Sequence, residues 1–144
     1  MLQELGGHVI LSDISKKCLD ICQERFKHAD NMEYHLIDDN LGFIIDSSID
    51  CIWSYDVFLH INPTDIEKYV SDFRRILKPG GCAIIHHSNM HLREKNTRMK
   101  VINLTTGFRS YMTAEMFGGL VEQNYSLPHF PGDVISVFTK PQIP

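Results

Sequence analysis

Four short stretches carry the side chains with which this chain can do chemistry. They are Asp13 at the end of the apolar run HVILS, the acidic pair Asp38 and Asp39 followed by Asn40, the triplet Ser54, Tyr55 and Asp56, and the run His86, His87, Ser88 and Asn89. An ionised carboxylate is a pure acceptor, and one at the end of a strand can take two hydrogen bonds from the hydroxyls of a ribose. Asp13 can equally cap a helix behind it, and its position alone does not separate the two roles. Histidine is the side chain whose reference pKa, about 6.5, lies nearest neutrality. The chain has eight of them, so a histidine near a site says little, and for each one singly a packed structural role has the higher prior.

The apolar pattern predicts the elements that must hold these groups. Residues 8–12 and Asp13 form a short apolar run suited to a buried strand, and Ser15 caps a following helix with the stripe Cys18, Leu19, Cys22 and Phe26. Glu33 to Ile37 is a second strand, after which Asp38, Asp39 and Asn40 are turn chemistry. A third strand, Asp50 to Ser54, opens into a loop at Tyr55 and Asp56. Thr64 and Glu67 then have capping-box spacing, with Pro63 before the cap, ahead of the stripe Ile66, Tyr69, Val70, Phe73, Ile76 and Leu77. Pro79, Gly80 and Gly81 stop that helix as a tight turn, and a fourth strand starts at Cys82. Residues 88–111 are polar and basic and read as a lid or a short helix. Thr113 caps a further helix through Met116, Phe117, Leu120 and Val121, and Tyr125 to Phe130 and Asp133 to Phe138 make a terminal hairpin.

Strands alternating with helices predict one α/β domain over residues 1–144, with a doubly wound, mostly parallel sheet. Ligands in such sheets bind beyond the carboxyl ends of the strands, which selects the four stretches above as one surface.

Composition narrows the function. With 14 basic against 18 acidic residues and a formal charge of −4, the chain lacks the basic stripe that phosphate-backbone binding requires, so nucleic acid is not an expected partner. No stretch reaches the roughly 18 apolar residues that span a bilayer, and no basic-then-apolar leader opens the chain, so a cytoplasmic protein without a membrane partner is expected. Cys18, Cys22, Cys51 and Cys82 read as small core residues of a reducing compartment, and no metal site is expected.

The segments SIDCIWSYDVFLHI and FRRILKPGGCAIIHHSN resemble the central and later motifs of class I S-adenosylmethionine-dependent methyltransferases of the small-molecule type. VILSDIS resembles the family strand that carries the ribose acid, and RSYMTAEMFGGLVEQNY resembles the helix before the terminal hairpin. The resemblance implies a Rossmann-like fold, S-adenosyl-L-methionine as cofactor and a small-molecule acceptor. It places Asp13 and Ile14 at the ribose, Asp38, Asp39 and Asn40 near the adenine with Leu41 against the ring, and Ser54, Tyr55 and Asp56 beside the methionine part. For a hydroxyl acceptor a base must take a proton, and His60 and His87 are the candidates. Strand alternation sends His86 and His87 to opposite faces, so one of them points to the pocket. Tyr55, Phe58 and Tyr111 are candidate pocket walls, with core packing preferred for Phe58, and Arg109 either pairs with an acidic substrate or is simply solvated, two readings that the sequence does not separate.

The family pattern also has a first, central strand and a Gly-x-Gly-x-Gly turn ahead of the strand that ends at Asp13. This chain shows neither, since Gly6 and Gly7 precede that strand only as a turn. The expectation is an N-terminally truncated domain beginning at an internal methionine, with doubtful activity. The strands ending at Asp13 and Ser54 are then expected to have unpaired edges open to association. A non-catalytic methyltransferase-like binding or regulatory domain is the alternative.

Overall fold

In the computed structural model, which describes residues 7–88, 121–126 and 133–142, the first apolar run forms strand β1 (Val9–Asp13), followed by helix α1 (Lys16–Arg25) and strand β2 (Met32–Leu36). The two strands are parallel, in register from Val9 opposite Met32 to Asp13 opposite Leu36. Ser15 caps α1 as expected, its hydroxyl accepting from the Cys18 N–H at 3.3 Å. Of the predicted stripe only Leu19 is buried. Glu33 accepts hydrogen bonds from His8 at 2.9 Å and His35 at 2.5 Å. Those two bonds, His8 first, hold its carboxyl below the ordinary range. These elements belong to one compact unit, Met1–Leu41, and the rest of the chain forms a second, Gly42–Pro144.

The second unit contains β3 (Ile49–Ser54), helix α2 (Pro63–Ile76), β4 (Leu77–Ser88), β5 (Val121–Ser126) and β6 (Asp133–Thr139). Its sheet runs β3-β4-β6-β5, with β3 parallel to β4 and β6 antiparallel to both β4 and β5. The terminal hairpin is therefore present, although Val121 starts a strand rather than ending a helix. The helix predicted from Thr113 lies outside the described residues, as do Arg109 and Tyr111. Among the described strands, β1 has a ladder only with β2, and β3 only with β4.

Alternation along the strands sorts the second sheet into two faces. Ala83, Ile85, His87, Ser136 and Phe138 are fully or almost fully buried, as are Ile66, Val70, Phe73 and Ile76 of α2, which packs on β4. Cys82, Ile84, Ile135 and Val137 alternate with the buried set and are half-buried, while Cys51 and Trp53 of β3 are exposed. None of the four cysteines is buried, a departure from the core role expected of them. For Cys51 and Cys82 the reason is strand parity, which sets them on the face opposite the buried set.

Two boundaries of α2 differ from expectation. The cap is Asn62, whose Oδ1 accepts from the Asp65 N–H at 3.0 Å, and Pro63 takes the first helical position. Proline suits that position because its missing N–H is one the helix leaves unpaired anyway. Lys68 and then Asn62 hydrogen-bond the Asp65 carboxyl and hold it below the usual range. Asn62→Ala is expected to cost about 1 kcal/mol of stability, and Asn62→Gly only a few tenths, read by urea denaturation. At the other end the helix stops at Ile76, and Leu77 is already extended.

The Leu-Lys-Pro-Gly-Gly segment thus lies inside β4 rather than ahead of it. The register steps from Ile49 opposite Leu77 directly to Cys51 opposite Cys82, so residues 78–81 bulge out of the ladder. Gly80 turns there with φ +81°, and a Cβ on Gly81 would stand 3.0 Å from the carbonyl oxygens of Asp50 and Lys78. Lys140 clamps the bulge through the hydrogen bonds Gly80 N–H to Lys140 O at 2.8 Å and Lys140 N–H to Gly81 O at 2.9 Å.

Candidate functional site

The loop after β3 is built on an aromatic anchor and a backbone turn. Phe58 is 3% exposed and packs edge-on to Tyr69 at 5.9 Å and tilted against Phe73 at 5.8 Å. This confirms the packing role over that of a pocket wall. Upstream of it, Asp56 sits in the left-handed region with φ +62°, a conformation that aspartate tolerates better than most side chains. The turn aims the Asp56 N–H at Nδ1 of His86, 3.1 Å away. Neutral His86 must therefore carry its proton on Nε2.

Tyr55 lies on the His86 ring with centroids 4.4 Å apart and planes 20° from parallel. Trp53 continues the stack at 6.4 Å and 8° from Tyr55. Trp53 is 57% exposed, and Tyr55 and Val57 are exposed as well. The result is a flat apolar shelf on the carboxyl end of β3, backed by a histidine that is 4% exposed. Trp53 was not singled out from the sequence. Its signal was parity: it is two residues from Tyr55 and shares its face.

The two histidine candidates occupy different settings. His60 is exposed and follows a turn in which its N–H bonds the Val57 carbonyl at 3.0 Å. His87 is 1% exposed, with Nε2 2.7 Å from the Ser136 hydroxyl. Adjacent positions on β4 do put His86 and His87 on opposite faces, and it is His86 that meets the loop.

The Asp56 turn gives a direct test of which part of that residue matters. Asp56→Gly keeps the N–H bond to His86 and relieves the left-handed strain, so its stability should stay within about 1 kcal/mol of the parent or rise. A loss of ligand binding in that variant would then report the carboxylate, whereas a fall in the urea midpoint of more than that amount would contradict the reading of the turn.

In the first unit the Asp13 carboxylate ends β1. Its Oδ1 accepts the Ser15 N–H at 2.7 Å and its backbone carbonyl accepts the Ile37 N–H at 2.9 Å. Asp13 is half-buried and held by these bonds, and its second carboxylate oxygen has no protein partner among the described residues. Both roles foreseen for Asp13 are thus compatible: one oxygen organises the turn into α1, and the other can accept a ribose hydroxyl. Ile14 beside it is 73% exposed, and Asp38, Asp39 and Asn40 are exposed beyond β2, with Asn40 Nδ2 donating to Asp39 at 2.6 Å. Leu41 is buried.

Parallel β-α-β units with an acceptor carboxylate at a strand end, and a sheet that closes in an antiparallel hairpin, are the features of a Rossmann-like fold, in which ligands bind beyond the carboxyl ends of the strands. Residues 1–81 match the family described as "Methyltransferase domain". The chain belongs to this methyltransferase family, whose cofactor is S-adenosyl-L-methionine. Demethylmenaquinone methyltransferases from two strains of Tropheryma whipplei, Twist and TW08/27, are 35% identical over 80 residues, which is 56% of this chain and 32% of theirs. The matched stretch thus spans about a third of the length of those curated relatives. Among solved structures, the PH0226 protein of Pyrococcus horikoshii OT3 superposes with a TM-score of 0.72 at 19% identity, covering 96% of this chain and 74% of that one. The geranyl diphosphate C-methyltransferase of Streptomyces coelicolor A3(2), solved with S-adenosyl-L-homocysteine, superposes with a TM-score of 0.68 at 12% identity over 96% and 63%. At these identities the likeness shows the fold.

Proposed function

We propose that residues 1–144 act as a single methyltransferase domain that moves a methyl group from S-adenosyl-L-methionine to a hydroxyl oxygen of a small acceptor. The observation that carries the acceptor class is the exposed shelf of Trp53, Tyr55 and Val57, which suits a flat, partly apolar molecule. The cofactor supplies a methyl group on a sulfonium, already a good leaving group, so no metal is required. What falls to the protein is positioning and the exclusion of water.

In this reading Asp13 accepts from the ribose, with Ile14 beside it. Asp38, Asp39 and Asn40 serve the adenine side, and Ser54, Tyr55 and Asp56 the methionine side. Of the two base candidates, His60 is exposed and free to meet an acceptor hydroxyl, whereas burial and the Ser136 bond give His87 a structural part. Simple phenols, which carry the hydroxyl, are the first acceptors to assay; demethylmenaquinone, named in the curated relatives, is a quinone without one, and turnover on it alone would point to a different acceptor atom. Formation of S-adenosyl-L-homocysteine that depends on the acceptor supports the proposal; cofactor binding without turnover on any hydroxyl acceptor counts against it.

One observation favours the second reading, a non-catalytic binding domain. Among the described strands β1 and β3 each have a single ladder partner, and a free strand edge is a template for association with another chain. Calorimetry with S-adenosyl-L-homocysteine separates the readings, because a domain without affinity for it is no enzyme of this family. Light scattering on the same sample reports association through the edges.

A further inference from the structure

Away from the carboxyl ends of the strands, β3 and β4 bring two thiols together. Cys51 and Cys82 are directly registered partners across the parallel ladder, and their sulfurs are 3.7 Å apart. We propose that this pair is a redox-modification site that closes into a reversible cross-strand disulfide on reaction with a small disulfide such as oxidised glutathione.

The backbone is already placed for it. Neighbouring strands lie about 4.8 Å apart, within the range of roughly 4.4–6.8 Å between α-carbons that a disulfide accepts. Small rotations about the two Cα–Cβ bonds can therefore bring the sulfurs to the bonded distance of about 2.05 Å. The pair is also reachable, since Cys51 is exposed and Cys82 half-buried on the face opposite the buried set. A strand ladder holds β-carbons wider than the roughly 3.8 Å that a relaxed disulfide prefers, and that strain makes the bond readily reduced again.

The neighbouring charges are Asp50 and Lys78, which pair with each other at 2.8 Å, and Lys140, whose ammonium bonds the Leu77 carbonyl. Burial, then the contact with Cys82, pushes the Cys51 thiol up to about 11. Cys51 thus rests as a thiol at neutral pH, and it is the proximity of the two sulfurs rather than thiolate character that selects the pair.

The chemistry balances as two exchanges. One thiolate of the pair attacks a sulfur of oxidised glutathione and expels one glutathione. The other attacks the resulting mixed disulfide and expels the second. The two thiols give up two protons and two electrons, and the oxidant becomes two molecules of glutathione. The product bolts the bulge at residues 78–81 to the start of β3, in the two strands whose other ends carry Tyr55 and His86.

The experiment is a redox titration of the full chain with oxidised glutathione, followed by alkylation of remaining thiols and peptide mapping. The expected result is a loss in mass of two hydrogens per chain, a linked peptide joining Cys51 to Cys82, and full reversal by dithiothreitol. Cys51→Ser and Cys82→Ser should each abolish the link, while the double variant Cys18→Ser with Cys22→Ser should retain it. A link through Cys18 or Cys22 instead, or stable glutathione adducts on Cys51 and Cys82 with no link between them, overturns the proposal. The map of the unmutated chain decides even if a serine variant does not fold.

Discussion

Replacing Phe58 by alanine is expected to lower the stability of the chain by about 3–5 kcal/mol, the largest effect of any single change around the loop after β3. The ring is 3% exposed and meets both Tyr69 and Phe73, so truncation removes its buried area and leaves a cavity between the loop and α2. Phe73 cannot collapse far into that space, because it and its neighbours Val70 and Ile76 are themselves packed in the core. The measurement is a urea melt, in which a slope of about 1–3 kcal/mol per molar urea converts the loss into a midpoint lower by more than one molar unit. Phe58→Leu keeps most of the volume and should cost under about 1.5 kcal/mol. Equal midpoints for the alanine variant and the parent would mean that the loop is not anchored through this ring. In that case the order of Tyr55 and Asp56 above it would need another source.

The second large effect concerns Asp13, where asparagine is a sharper test than alanine. Asparagine retains a carbonyl oxygen for the Ser15 N–H, so the turn into α1 survives and stability should change by less than about 1 kcal/mol. The side-chain position that would face the ribose becomes a donor carrying no charge. Hydrogen bonds to a charged partner are worth about 1.5–3 kcal/mol, so affinity for S-adenosyl-L-homocysteine should fall by roughly ten- to a hundredfold. Calorimetry on the parent and on Asp13→Asn reads the difference directly. If binding is unchanged while the melt is also unchanged, Asp13 is only a turn residue and the ribose is held elsewhere. Asp13→Ala would blur that distinction, since it removes both hydrogen bonds at once.

The readings that came through best were those made from short-range pattern. The apolar run before Asp13, the cap at Ser15 and the stripe of Ile66, Val70, Phe73 and Ile76 are local signals, and each appears where periodicity placed it. Boundaries fared less well where two local signals competed. Asn62 displaced Thr64 as the cap of α2 because Pro63 is better accommodated one position inside the helix than before it. The two glycines after Pro79 read as a helix stop, yet Leu77 pairs with Ile49 before them. A ladder to a distant strand leaves no trace in the local pattern, so the bulge was invisible until β3 and Lys140 were seen to grip it.

For the candidate site, residue types and strand ends were legible from the chain itself: a carboxylate after β1, an aromatic-acidic loop after β3, and paired histidines of opposite parity on β4. Parity alone could not say which histidine lay under the loop. That was decided by α2, which packs on β4; His87 lies in the buried set beside Ser136, while His86 is left to receive the Asp56 N–H and the Tyr55 ring. The same choice of face took Cys51 and Trp53 out of the core and set one beside Cys82 and the other in the exposed stack. Because a strand alternates strictly, the order of residues is enough to say which side chains point the same way. Which of those two ways is inside waits on packing, because burial belongs to whatever lies against a face and not to the strand that presents it.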